Sequence, residues 1–159
     1  MQNVETILPQ GFFRLKLGQS DDGKTKVVGD TGWRKNEVTN LGFQNYVVAL
    51  MGAQAGSVQI GAMVVGTGAA PATGDTALAG ETIRQSCGNS IVASKTLQAT
   101  LAIASGDHPG GTPTIQNIAL INSTATGGTI FSGGTYSTSQ WQTNQGLSAT
   151  YQLRFGTSS

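Results

Sequence analysis

The final stretch of the chain alternates without a break. Leu147, Ala149, Tyr151, Leu153 and Phe155 are apolar, and Ser148, Thr150, Gln152 and Arg154 between them are polar. A period of two puts one set of side chains on each side of an extended backbone, which marks a half-buried strand and does not suit a helix. The same pattern occurs early in the chain, where Phe13, Leu15 and Leu17 alternate with Arg14 and Lys16. Asp21-Asp22-Gly23 then supplies a turn, and residues 25–28 read as the returning strand of a hairpin. A third alternation (Ile91, Ala93, Lys95, Leu97, Ala99, Leu101 and Ile103) predicts one long strand, with Lys95 marking where it leaves the core.

Between these segments lie shorter ones. Residues 58–65 predict a strand, residues 66–75 a loop, and residues 76–80 one helical turn capped by Asp75. Residues 81–86 lead into a strand. Residues 115–121 form another, and its Ile118-Ala119-Leu120-Ile121 run, apolar on both faces, predicts a central position. Residues 123–134 have loop composition around the pair Ile130-Phe131. One helix is expected between Trp33 and Gly52, because Phe43, Tyr46, Val47, Leu50 and Met51 fall on a single stripe. Thr39 or Asn40 can cap its start and Gly52 suits its end. The expected fold is therefore mainly β: an antiparallel β-sandwich, jelly-roll-like, with one α-helix near residues 39–51. A Greek-key barrel is the alternative. Residues 1–10 read as an N-terminal arm and residues 11–159 as a single sandwich domain.

Composition agrees with short strands and tight turns. Of 159 residues, 38% are hydrophobic and 11% charged, against about 25% charged in an average domain, and 23 are glycine. The formal charge is +1. Arg14, Lys16, Lys24, Lys26, Arg34 and Lys35 cluster early, but Asp21, Asp22, Asp30 and Glu37 lie among them, so no nucleic-acid partner is expected. Few charges suit a protein crowded against other proteins, because like charges then repel little. Cys87 is the one cysteine, which leaves no intrachain disulfide and predicts a buried, inert thiol. The opening residues lack a basic and apolar leader, and no run of 18 apolar residues occurs, so the chain is expected to be made in the cytoplasm with no membrane partner.

The side chains that could carry chemistry are sparse. His108, the one histidine, lies beside Asp107 with no nucleophile signature. One His, one Cys and scattered carboxylates compose none of the usual metal sets, so neither metal nor cofactor is expected. Gly66-Thr67-Gly68 follows a strand, but Pro71 stands where a dinucleotide-binding turn needs its third glycine. No catalytic residue is assigned, and the chain is expected not to be an enzyme.

Two motifs carry a resemblance. Trp33-Arg34-Lys35-Asn36-Glu37-Val38-Thr39-Asn40-Leu41-Gly42 resembles the W-x-K-N-x-[IV]-T-N-x-G lead into a helix found in small virion structural proteins of tailed bacteriophages. Met63-Val64-Val65-Gly66-Thr67-Gly68, Pro71 and the stretch from Asp75 through Leu78 and Glu81 to Arg84 resemble the pattern that follows in the same proteins. The resemblance implies a capsid cement or decoration protein, a homotrimer on the capsid surface of the virion whose partner is the major capsid protein. A tail-fibre or receptor-binding head is the second choice, with Trp141, Tyr136 and Tyr151 as candidate sugar-stacking residues or, more simply, core. Within the motif, Gly66 and Gly68 would allow a sharp turn, Asp75 would cap, Leu78 would pin the turn to the core, and Glu81 would pair with Arg84. Val4, Ile7, Leu8, Phe12, Arg14 and Lys16, on the first strand and its arm, are the interface candidates, as an edge that joins a neighbour by strand addition.

Overall fold

The structure is a computed structural model and describes residues 7–21, 24–42, 45–46 and 58–157. Ten strands are defined in it: β1 Ile7–Asp21, β2 Lys24–Asp30, β3 Arg34–Val38, β4 Ala62–Gly66, β5 Glu81–Ser86, β6 Gly88–Ala93, β7 Thr96–Ile103, β8 Thr114–Ile121, β9 Ile130–Gln140 and β10 Gln145–Thr157. All pair antiparallel, in the order β5-β4-β8-β9-β3-β1-β10-β7-β6, with β2 on the remaining part of β1. The end strands of this path, β5 and β6, are consecutive in the chain and joined through Cys87. The sheet therefore curls until its ends nearly meet. Two contacts draw the seam together: the Cys87 N–H donates to the Gly61 carbonyl (3.3 Å), and Asn89 Nδ2 donates to the Ile60 carbonyl (2.8 Å).

The alternating segments build the interior. Register sets Phe13 opposite Tyr151 and Tyr151 opposite Ala99; Leu15, Ala149 and Leu101 form the next row, and Leu17, Leu147 and Ile103 the third. All nine are buried, in one cluster with Met63, Val65, Ile115, Ile118, Leu120, Phe131, Tyr136 and Trp141. Burial of each large side chain contributes about 1.5–3 kcal/mol. A second cluster (Ala62, Val64, Leu78, Ala119, Ile121 and Ile130) lies on the other face of β4 and β8, so these strands are covered on both sides. β8 sits between β4 and β9, as its apolar run predicts.

Several expectations are corrected. The alternation from Ile91 to Ile103 is a hairpin, β6 turning at residues 94–95 into β7. Asn89 pairs with Ala99 and Ile91 with Leu97, so odd residues face odd residues as far as Ile91, and the register shifts before Ala93, which pairs with Thr96. Of residues 123–134, read as a loop, residues 130–134 open the eleven-residue strand β9. Its glycines are small because neighbours press on them. A Cβ on Gly133 would lie 2.6 Å from Pro71 Cγ and 2.7 Å from the Ile118 carbonyl oxygen. The strand expected at residues 58–65 begins at Ala62, and residues 34–38, expected to lead into the helix, form β3. Of the helix near residues 39–51, the described part is one short turn, α1 Asn40–Gly42, together with the buried Tyr46. The Gly42 N–H donates to Thr39 Oγ1 (2.9 Å), which makes Thr39 the cap. Phe43, Val47, Leu50, Met51 and Gly52 lie outside the described residues. Residues 76–80 are not a helical turn; Asp75 instead closes a tight turn on Ala72, whose N–H donates to its carboxylate (2.8 Å). β1 already includes residues 7–10, paired with residues 154–157, so the sheet reaches into the segment read as an arm.

Candidate functional site

The second motif builds a scaffold at one end of β4. The Thr67 N–H donates to the Gly80 carbonyl (2.9 Å) and the Gly68 N–H to the Ala79 carbonyl (3.1 Å). The two backbones run so close that a Cβ on Gly68 would stand 2.4 Å from the Ala79 oxygen, and one on Gly66 2.6 Å from the Gly80 oxygen. Close approach, more than a sharp turn, is what these glycines permit. Two side chains of β8 complete the clamp: Asn117 Nδ2 donates to the carbonyls of Ala69 (2.8 Å) and Ala79 (2.9 Å), and Gln116 Nε2 to that of Thr67 (2.7 Å). Sequence reasoning missed this pair, and the one available signal was a buried-type position held by Asn117 within an apolar run. Leu78 is buried beneath the scaffold.

Glu81 and Arg84 do pair, on β5 and not on a helix, with Nε–Oε1 at 2.8 Å and Nη2–Oε2 at 2.7 Å. Arg84 Nη1 also donates to the carbonyls of Ser123 (3.2 Å), Ala125 (2.6 Å) and Gly127 (2.6 Å). Its side chain is only 5% exposed, so the guanidinium fastens the loop between β8 and β9 to β5.

The N-terminal candidates are engaged too. Arg14 forms a two-bond pair with Asp30 of β2 (2.9 and 2.5 Å), and Asp30 accepts a third bond from the Gly32 N–H (2.9 Å). The guanidinium, with help from that N–H, holds the Asp30 carboxyl far below the usual carboxylate range. Phe12 lies under the Arg154 guanidinium, 4.8 Å from its ring centre, and Lys16 stands opposite Asp30. Ile7 and Leu8 are paired with Thr157 and Gly156, and Val4 lies outside the described residues. β1 has β10 on one side and β3 and β2 on the other, so from Gly11 onward it is an inner strand and offers no edge for strand addition.

His108 serves as a loop tie. Its Nδ1 accepts from the Gly110 N–H (3.0 Å), so the proton belongs on Nε2, which donates to the Trp141 carbonyl (3.1 Å). The imidazole stands edge-on to the Trp141 ring at 4.4 Å. Trp141, Tyr151 and Tyr136 are all buried, and burial pushes both tyrosine hydroxyls up. Cys87 is half-buried at the seam, where desolvation raises its thiol. No group of three His, Cys, Asp or Glu side chains suited to a metal occurs among the described residues, and no described helix is long and apolar enough to cross a membrane.

Most of the large apolar side chains that are exposed among the described residues lie on border strands. Val27 (52% exposed) and Val28 (45%) lie on β2; Ile91 (82%) and Val92 (47%) lie on β6; Trp33 (43%) precedes β3. β2 and β6 flank β1, β10 and β7 from opposite sides. Beside β6 a mainly apolar cleft of about 330 Å³ opens among Ile60, Asn89, Leu97, Leu153 and Phe155. Comparison with protein-family models, curated proteins and solved structures finds no match for this chain.

Proposed function

We propose that this chain is a non-enzymatic virion structural protein of a tailed bacteriophage. In this reading it is a capsid cement or decoration protein that binds the outer shell and bridges subunits of the major capsid protein. The fold that accompanies it is a jelly-roll-like β-sandwich, in which β1, β10, β7 and β6 form one layer and β5, β4, β8 and β9 the other. The observation that carries the reading is where the side chains are used. The groups able to do chemistry, Arg14 with Asp30, Glu81 with Arg84, and His108 with Trp141, are engaged in internal ties, while large apolar side chains face outward on border strands. Such a surface suits association. The motif residues support it by giving Gly66, Gly68, Glu81 and Arg84 roles in holding loops.

The mechanism is mass action. A protein that binds only the assembled lattice stabilises it by RT ln(1 + [L]/Kd), about 2.7 kcal/mol at roughly a hundredfold excess over Kd. A homotrimer, the assembly that the resemblance implies, adds avidity across several weak contacts. A receptor-binding head would present Trp141, Tyr136 and Tyr151 to a glycan, and their burial favours the cement reading. Capsids stripped of the protein provide the test. Saturable binding at a fixed ratio per capsid, with a raised disruption temperature, is expected. Binding to host cells or glycans without any effect on capsids would overturn the proposal.

A further inference from the structure

We propose that the notch between the β2–β3 connection and β9 binds a phosphate headgroup whose carrier stays outside. This inference does not depend on the virion reading. The ladder between β3 and β9 is two pairs long, Glu37 with Gly133 and Val38 with Ser132. Beyond its end a polar notch of about 110 Å³ opens, lined by Asp30, Thr31 and Arg34 on one side and by Ser137 and Ser139 on the other. Cavities of roughly 150 Å³ hold benzene, so this notch seats a headgroup and not a ring. Three of the arginines have their guanidinium engaged: Arg14 by Asp30, Arg84 by Glu81 and loop carbonyls, and Arg154 by Gln152 and the Phe12 ring. Arg34 differs. Among the described residues it forms no ion pair, and its one hydrogen bond runs from Nε to the Thr31 carbonyl (3.2 Å).

The donors are set before a ligand arrives. Thr31, which holds Arg34, is pinned to β1: its N–H donates to the Leu15 carbonyl (3.0 Å), and its Oγ1 accepts from the Leu15 N–H (3.0 Å). The terminal nitrogens of Arg34 remain as donors of the kind that grips an oxyanion. Ser137 and Ser139, two apart on β9, share a face and bring hydroxyl donors from the other side. A carboxylate has two oxygens in one plane, and a guanidinium alone satisfies both. A tetrahedral ion has oxygens left for the opposite wall. The local charge favours an anion, since Arg14, Lys16 and Arg34 stand against Asp30, while Lys35 and Glu37 on β3 balance each other. Asp30 then selects among tetrahedral ions. Its Oδ1 accepts from Arg14 Nε and the Gly32 N–H, but its Oδ2 only from Arg14 Nη2, so one of about four lone-pair sites is left. A phosphate that keeps a proton can donate it to that oxygen. Sulfate, fully ionised, brings only repulsion.

Calorimetric titration of the full chain at about pH 5.5, where phosphate and its monoesters keep a proton, tests this. Circular-dichroism melting verifies the fold of each variant. Inorganic phosphate and glycerol 3-phosphate should both bind saturably, with Kd about 1 mM or tighter. Amide resonances of residues 31–34 and 137–139 should shift on binding. Sulfate should bind at least about fivefold more weakly, because it offers Asp30 no proton, and Asp30→Asn should erase that preference. Arg34→Gln should weaken phosphate at least about tenfold. Ser137→Ala combined with Ser139→Ala should weaken it about threefold and keep the wild-type melting curve. Arg154→Gln, which removes an exposed cation elsewhere, should leave binding intact. Each of the following would overturn the proposal: a wild type that binds no phosphate, sulfate bound as well as phosphate, exclusion of the ester, affinity unchanged in both the Arg34 and the serine variants, or an equal loss with Arg154→Gln.

Discussion

The β1–β10–β7 region and the β4–β8–β9 region bury similar side chains in different ways. The first packs one face, through the rows headed by Phe13, Leu15 and Leu17, and leaves Ser148, Thr150 and Gln152 on the other toward solvent. The second packs both faces, with the main cluster on one side and Leu78 and the residue 67–80 segment on the other. In a strand with one packed face, every second position is free to vary. Where both faces are packed, even the absence of a side chain is specified, as at Gly133 and Gly66. Tolerance to substitution should follow this division.

The largest effect is expected where an outward position behaves as core. Ile121, fully covered although outside the main cluster, should cost about 3 kcal/mol on replacement by Ala in denaturant unfolding, whereas Ser148→Ala, outward on β10, should stay within about 0.5 kcal/mol. Equal costs would erase the distinction. Gly133→Ala should come next, at about 2 kcal/mol, because its new methyl group meets Pro71 and the backbone of β8. Arg84→Met keeps most of the side chain's bulk but deprives three carbonyls and Glu81 of their donor, and about 1–2 kcal/mol should be lost, with faster amide exchange confined to residues 122–129. The smallest effect belongs to the solvated face of β1. Asp30 titrates lower when folded than when unfolded, so its pairing with Arg14 adds stability above the ordinary carboxylate pKa of about 4 and loses it as pH falls toward the lower folded value. The gap in melting temperature between wild type and Asp30→Asn should therefore be small at neutral pH and close under acid.

The same division explains what the sequence discloses. β10 and β1 are legible because one packed face imposes a period of two. β8 is legible as central because Ile118-Ala119-Leu120-Ile121 has no polar face to show. β9 is hidden for the opposite reason: crowding at Ser132, Gly133 and Gly134 selects small residues, and small residues read as a loop. The β6–β7 turn is hidden by parity, since Ile91 lies opposite Leu97 and the register shift before Ala93 leaves no mark on the odd-numbered apolar series. Candidate surfaces follow suit. Periodicity assigns Ile91 to the same face as Ala99 and cannot tell that one is covered and the other is not. Arg14 reads as a free strand cation, although Asp30, sixteen residues away, already holds it.

The grip of Arg84 on the loop after β8 has a further consequence. Carbonyl oxygens converging on a positive charge are how many calcium loops take their shape, and there the shape is lost when the ion is withdrawn. Here the cation is tethered to the polypeptide itself, so neither chelator nor dilution can remove it, and the loop should hold its form in whatever medium the folded chain meets.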